Sequence, residues 1–394
     1  MFVERVGIVG AGTMGADIAA VLLLRGVPVR LHDVQAQQLE RAADRIRAVI
    51  AQRVQRGRLP TGAVADRMAL LVPSTDLAAL GDVDLAIEVV PERLALKRAV
   101  LSELDHVVSP LAILATNTSA LPVQELAEAT GRADRVIGCH FFFPAHTMPL
   151  VEVVRTEATR PDVVASAVAL WQECRKVPLV FPDRPGFVVN RVLMRALAEV
   201  FRFEEETGAA IPAIDGALAS SGVVPMGPFR LGDALGLDVA LDVAETLTRE
   251  LGKRFTPSAQ LVSLVAEGRL GSKVPAGGFY PPGAPANAPD LGGMDRDRLV
   301  RRFQLAAVNE AARLLDERLA TPAEIDLAMR TGAGLKQGPL SWADQEGLEE
   351  VARAMEEMKG LQLHGFRVPE SLRRLVQQGW TGARVGRGFM KVAQ

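Results

Sequence analysis

Cysteine is scarce in this 394-residue chain, which holds only Cys139 and Cys174. Neither stands at metal-ligand spacing, so a disulfide framework and a cysteine-held metal are excluded, and a reducing compartment fits. A run of roughly eighteen apolar residues, the least that crosses a bilayer as a helix, is also missing. No membrane span is predicted. An excess of one charge is lacking too: 45 Lys and Arg stand against 47 Asp and Glu, a formal net charge of -2. That argues against general affinity for nucleic acid or anionic membrane, though a local basic patch can still meet an anionic ligand. With 48% hydrophobic and 23% charged residues the chain is compositionally an ordinary folded protein. Its first strand-like run begins within ten residues of the start, leaving no room ahead of it for a leader peptide, and a cytoplasmic location is expected.

What the chain does have is Val6-Gly7-Ile8-Val9-Gly10-Ala11-Gly12-Thr13-Met14-Gly15, followed by a second apolar run that ends at Asp33. Glycines at this spacing, between an apolar strand and a helical stretch from Ala16 to Leu24, form a dinucleotide-binding turn. Gly10 permits the turn, Gly12 admits a pyrophosphate, and Gly15 lets the helix pack on the sheet. Thr13 and Met14 open the helix, whose unpaired N–H groups face the phosphates. A carboxylate at Asp33 accepts hydrogen bonds from a ribose diol and repels a 2′-phosphate, which selects NAD over NADP.

At this length two or three domains are expected. Up to about Pro182 short β-branched runs alternate with helical patterns, predicting an α/β, Rossmann-like, doubly wound domain with a parallel sheet covered on both faces. Strands are predicted over 5–9, 28–31, 85–90, 113–116, 136–142, 150–155 and 179–181, and the Arg-dense segment from Asp33 to Thr75 as a helical pair. After Gly186 the pattern is helical and repeats at an offset of 111 residues: Glu199 with Glu310, Ile214-Asp215 with Ile325-Asp326, Gly227-Pro228 with Gly338-Pro339, Asp233 with Asp344. Both copies end in Gly-Phe, at Gly278-Phe279 and Gly388-Phe389. Two copies are too few for a solenoid, so a whole all-α domain is duplicated. The predicted divisions are a cofactor domain over 1–184, a helical domain over 185–283, a linker over 284–296 drawn from the Pro-, Gly- and Ala-rich stretch Pro281–Gly293, and a second helical domain over 297–394.

His140 ends a buried strand, where α/β sheets hold their ligands, and Glu152 lies on the next strand-like run. Oxidising a secondary alcohol needs a base matched to neutral pH, and an imidazole backed by a carboxylate supplies it. The rival reading is a satisfied core histidine beside a surface acid. Ser119, after Thr116-Asn117-Thr118, ends another strand, a place for a ligand contact or for a helix cap. Asn190 sits in the apolar helical run Phe187–Leu197, where an unpartnered amide would cost on the order of 1–3 kcal/mol, so a partner is expected. Arg53, Arg56 and Arg58 form a basic cluster, either a phosphate contact or a solvated helix face. His32, His106, His146 and His364 lack such context, and no metal site is predicted.

By VGIVGAGTMGADIA, DLAIEVVPERLALK, ILATNTSAL, RVIGCHFFFPAHTMPLVEVV, PGFVVNRVLM and two GP(F/L)xxxD elements, the chain resembles the L-3-hydroxyacyl-CoA dehydrogenase family along nearly its whole length. The tandem repeat is similar to the dehydrogenase part of multifunctional fatty-acid oxidation enzymes. The resemblance implies NAD as cofactor and an acyl-CoA substrate held between the first domain and the first helical copy. It also implies His140 and Glu152 as the catalytic dyad, with Ser119 and Asn190 on the substrate oxygen. Glu92, Lys97 and Asn117 would lie near the nicotinamide ribose and ring, and the arginine cluster would face the CoA phosphates. Single-copy relatives dimerise through the helical domain, so the duplication implies an internal pseudo-dimer in a monomer, a homodimer being the alternative. No hydratase-like portion occurs in these residues, which leaves room for a hydratase or thiolase partner. One departure stands out: Phe143 replaces the family's usual Asn or Ser. Two rival readings remain, a dehydrogenase of a free hydroxy acid or sugar acid, as in gulonate dehydrogenase relatives, and a NAD-binding homologue without turnover.

Overall fold

The computed structural model describes residues 2–284, 294–360 and 365–390. Most of the predicted linker, and His364, lie outside the described residues. The chain divides into two compact units, Met1–Arg184 and Pro185–Gln394.

In the first unit the apolar runs become one eight-stranded sheet: β1 (Val6–Val9), β2 (Val29–His32), β3 (Leu71–Ser74), β4 (Leu85–Glu88), β5 (Ile113–Thr116), β6 (Val136–Phe141), β7 (Leu150–Arg155) and β8 (Val177–Pro182). Their order is β3-β2-β1-β4-β5-β6-β7-β8, so the winding reverses between β1 and β4. Helices α1 (Thr13–Leu23), α2 (Ala36–Gln55), α3 (Ala63–Met68), α4 (Leu94–Val107), α5 (Val123–Ala127) and α6 (Pro161–Glu173) complete the unit. Ile8, Leu31, Ile87, Ile113 and Ile137 are fully buried, as strands covered on both faces require.

Two expectations are corrected. The sheet is not parallel throughout, because β7 runs antiparallel to β6 and β8 follows β7. Residues 142–149 are too few for the crossover of a dozen or more residues that a parallel neighbour demands. The second correction is β3, which lies inside the segment predicted as a helical pair. Its Pro73 lacks a ladder donor and its Val72 is exposed, as suits the edge of a sheet and masks the alternation that would have marked it.

The second unit is helical and built twice. Helices α7 (Val189–Thr207), α8 (Ile211–Ser221), α9 (Pro228–Leu235), α10 (Leu237–Leu251) and α11 (Ala259–Ala266) are followed by α12 (Arg296–Asp316), α13 (Pro322–Gly332), α14 (Pro339–Glu346), α15 (Leu348–Gly360) and α16 (Glu370–Gln377). The repeated Gly-Pro has a steric cause. Asp215 accepts from the backbone N–H of Phe229 and Arg230 at 2.9 and 3.0 Å, capping α9, and a Cβ on Gly227 would fall 2.2 Å from its carboxyl carbon. Asp326 does the same for Leu340 and Ser341, against Gly338. Likewise Asp233 receives Phe279 and Tyr280, and Asp344 receives Phe389 and Met390, which explains the repeated Gly-Phe.

Helices α7 and α12 pack against each other through reciprocal ion pairs. Arg191 donates from Nε to Glu310 at 2.7 Å and from Nη1 to Glu317 at 2.6 Å; Arg302 donates from Nε to Glu199 at 2.7 Å and from Nη1 to Glu206 at 2.6 Å. Each copy thus supplies one arginine and two glutamates to the other, the pattern of an isologous interface. Burial opposes ionisation of Glu310, yet Arg254 and Arg191 hold its carboxyl below the usual range. A glutamate depressed on folding stabilises the fold above its unfolded pKa, near 4.5, and that contribution disappears as pH falls through the lower folded value. Replacing it by an uncharged amide leaves Arg254 without a carboxylate and Arg191 with Glu317 alone.

Glu310→Gln is therefore expected to destabilise the second unit by about 3–5 kcal/mol, the usual cost of breaking a buried pair from one side. Urea unfolding at neutral pH measures it, and the gap from wild type should narrow below pH 4.5. An unchanged midpoint would contradict the reading of α7 and α12.

Candidate active site

The glycine turn follows β1 directly. Gly10 has φ 107°, and a Cβ there would meet the Val89 carbonyl oxygen at 2.7 Å. A Cβ on Gly15 would fall 1.9 Å from the Gly10 oxygen, so α1 lies against the turn as closely as backbone permits. Gly12 is different. It precedes Thr13 and Met14 at the head of α1, no side chain caps the helix, and a Cβ there would meet nothing within 4 Å. The turn therefore combines an open face with unpaired helix N–H groups, which is what an approaching pyrophosphate needs. Asp33, just past β2, accepts from the N–H of Ala11 and of Gln35, both at 2.9 Å, and so is anchored beside the turn. The residues present fit a dinucleotide with a free ribose diol.

His140 and Glu152 are directly opposite on the antiparallel pair β6 and β7, and Nδ1 lies 2.8 Å from Glu152 Oε2. They are 4% and 0% exposed. An ionised carboxylate only accepts, so Nδ1 carries the proton and Nε2 the lone pair, the tautomer a general base requires. The Phe142 ring meets the imidazole edge-on at 4.5 Å between centroids and confines it. Phe143, next in the chain, is exposed.

The loop carrying Ser119 is organised by acids that end β4 and begin the segment after it. Glu92 Oε1 accepts from the Thr118 hydroxyl, from the Ser119 N–H at 2.8 Å and from the Ala120 N–H at 3.3 Å. Lys97 stands behind it, 1% exposed, its three donors shared among Glu88 at 2.9 Å, the Val90 carbonyl at 3.0 Å and Glu92 at 3.3 Å. Thr116 donates to the other oxygen of Glu88 at 2.8 Å. Burial works against charge on Glu92, but Lys97 and the bonds from Thr118 and Ser119 hold its carboxyl below the ordinary value. Asn117 Oδ1 accepts from the Phe141 N–H at 2.9 Å, tying the end of β5 to the strand that bears His140.

The first unit thus brings together His140, Glu152, Asn117, Ser119, Glu92 and Lys97 at the ends of β4 to β7, with the glycine turn at the end of β1. Lys97, expected beside the cofactor, donates to Glu88, Val90 and Glu92. Glu88 escaped the sequence reading. An acid inside the apolar run Leu85–Val90 is the signal that could have found it, since such an acid is buried only with a partner. Asn190 lies in the first turn of α7, half-buried, in the second unit. Arg53 is half-buried and donates to the His146 carbonyl at 2.9 Å, while Arg56 and Arg58 are exposed. Cys139 and Cys174 are buried thiols, both pushed up to about 12 by burial and so unfit as nucleophiles. Among the described residues no cluster of His, Cys, Asp and Glu could hold a metal, and no helix is long and apolar enough to cross a membrane.

A family model for the 3-hydroxyacyl-CoA dehydrogenase NAD-binding domain matches residues 5–184, and one for the C-terminal domain of the same enzymes matches twice, at 186–280 and 299–392. The fatty acid oxidation complex subunit alpha of a Psychrobacter strain is 31% identical over 96% of this chain and 56% of its own length. A peroxisomal fatty acid beta-oxidation multifunctional protein of Oryza sativa is 35% identical over 88% of the chain and 51% of its own. The chain spans about half the length of the curated relatives it matches. Among solved structures, the 3-hydroxybutyryl-CoA dehydrogenase of Escherichia coli K12 aligns at TM-score 0.86 and 30% identity, covering 96% of this chain and 100% of that one. The (S)-3-hydroxybutyryl-CoA dehydrogenase of Ralstonia eutropha aligns at 0.65 and 34%, over 71% of this chain and 98% of its own.

The two glycines of the turn are expected to respond differently to a methyl group. Gly15→Ala should cost about 1–3 kcal/mol of stability through overpacking and weaken NADH binding with it. Gly12→Ala should leave the unfolding midpoint in place yet weaken NADH binding roughly tenfold or more, since its methyl occupies only ligand space. Thermal unfolding and NADH fluorescence titration separate the two effects, and equal stability losses would contradict the assigned roles.

Proposed function

The chain belongs to the 3-hydroxyacyl-CoA dehydrogenase family, and on that premise we propose that it interconverts an L-3-hydroxyacyl-CoA and the 3-ketoacyl-CoA with NAD. The observation that carries this reading is the buried His140–Glu152 pair, 2.8 Å apart, on the sheet whose first strand delivers the dinucleotide turn. The glycine turn and Asp33 would hold NAD, which would supply the acceptor for the hydride of the carbinol carbon. His140 takes the hydroxyl proton on Nε2, and Glu152 stabilises the imidazolium so formed. Ser119 and Asn190 position the oxygen that becomes a carbonyl, and Glu92, backed by Lys97, sets the backbone at Ser119. Gly10, Gly12, Thr13, Met14 and Gly15 receive the pyrophosphate, Asp33 the adenosine ribose, and Asn117 and Glu92 border the nicotinamide.

Arg53, Arg56 and Arg58 are assigned to the phosphates of CoA. The reciprocal pairs between α7 and α12 support a monomer whose two helical copies form the interface that single-copy relatives would share between subunits. The second copy carries Arg301 at the offset position of Asn190, ion-paired to Glu350, and is read as structural. A cytoplasmic location and a separate hydratase or thiolase partner complete the proposal.

NADH oxidation with acetoacetyl-CoA tests it. Wild type should turn over, His140→Gln should lose on the order of 10²- to 10⁴-fold in kcat, and Glu152→Gln should lose less while keeping KM. Activity confined to uncoupled hydroxy or keto acids, or NADH binding without turnover, would overturn the reading. Light scattering should return a mass near 42.2 kDa at all concentrations, and a persistent dimer would refute the monomer.

A further inference from the structure

Within the second unit a cavity of about 160 Å³ lies where the end of α8 meets α12 and the turn that leads into α14. Phe303, Leu335 and Trp342 give it apolar walls, and Gln304, Lys336 and Gln337 give it donors. Phe303 and Leu335 are buried, while Lys336 is exposed. No aspartate or glutamate lines the cavity, so its charge is of one sign. Every lining residue lies in the helical unit, and the cavity is therefore neither the dinucleotide turn nor the surroundings of the His140–Glu152 pair.

The duplication shows what is unusual about it. At the offset of 111 residues, Gln304, Lys336, Gln337 and Trp342 stand where the first copy has Leu193, Pro225, Met226 and Leu231. Three apolar positions have become polar and the fourth carries an indole, although the neighbouring Asp326 and Gly338-Pro339 keep the residues of the first copy. Packing differs to match. A Cβ added to Gly334 would meet the Pro225 ring at 3.0 Å, whereas one added to Gly222 would meet only Lys336, at 3.9 Å. Gln337 completes the contrast. Its Nε2 is buried and has no hydrogen-bond partner among the described residues, a state that costs free energy unless an acceptor comes to it.

We propose that this cavity binds a small apolar monocarboxylate, a body of ring size that carries one carboxylate. A cavity of about 150 Å³ holds a benzene-sized molecule, so the space admits one ring or a short chain of similar bulk. The carboxylate accepts from the Gln337 amide and meets the Lys336 ammonium, while the body lies against Phe303, Leu335 and Trp342. A neutral apolar molecule would leave the amide unsatisfied, and a dicarboxylate would press its second charge against apolar walls. Two sources share this chemistry, an aromatic acid and a short-chain fatty acid.

Titration calorimetry with benzoate and with hexanoate is the test. Wild type should bind one equivalent of at least one of them, and the tighter of the two identifies the source. Lys336→Met and Gln337→Met should each weaken binding roughly tenfold or more, as loss of a hydrogen bond to a charged group does. The second variant restores the residue of the first copy and removes the unsatisfied amide, so its thermal midpoint should hold or rise and misfolding does not confuse the result. Benzamide, the neutral analogue of benzoate, should bind roughly tenfold more weakly or worse. His140→Gln should bind as wild type does, because no residue of the first unit lines the cavity. Absence of saturable binding, equal affinity for benzamide, unchanged affinity in either methionine variant, or loss of binding in His140→Gln overturns the proposal. Because the measurement involves neither NADH nor turnover, it can fail while the dehydrogenase reading stands, and the reverse.

Discussion

The chemistry of the first unit depends on a reversal of chain direction. Between Phe141 and Leu150 the connection is too short to cross over the sheet, so β7 must return alongside β6, and return in register. That register is what sets Glu152 opposite His140. A slip of β7 by one residue would turn Glu152 to the other face of the sheet and leave a buried imidazole and a buried carboxylate without each other. The pair thus pins β7 to β6 in this register. The other strand ends depend on it through Asn117, which accepts from the backbone of the strand bearing His140.

Buried charge is used in both units, for different ends. Near Ser119 the set Glu88, Glu92 and Lys97 is local and asymmetric, and its product is a loop whose backbone is defined by a carboxylate instead of by packing. Between α7 and α12 the set is reciprocal. Hydrophobic contact alone would permit two similar helices to slide by a turn, whereas guanidinium forks that must each meet two carboxylates admit one alignment. Specificity of register, as much as stability, is what such pairs contribute.

Much of this was legible in the chain, and what was not has a physical reason. The glycine turn and Asp33 could be read because short-range sterics dictate them, and the duplication because it repeats at constant spacing. The direction of β7 follows from the length of one loop and was obscured by the parallel pattern before it. The strand β3 was hidden by Pro73. The commitment of Lys97 to Glu88 depends on a helix folding back onto a strand, which residue spacing does not reveal.

The close approach of Asp215 to Gly227, mirrored by Asp326 and Gly338, carries a consequence for how such a chain can change. Each carboxylate fills the volume that a side chain on its glycine would claim, so the two positions behave as a single unit under mutation. A larger residue can enter at the glycine only after the acid has shrunk, and losing the acid first leaves the following helix uncapped. Drift at these sites must pass through a less stable intermediate, and for that reason the two halves keep the same aspartate and glycine while the helices around them diverge.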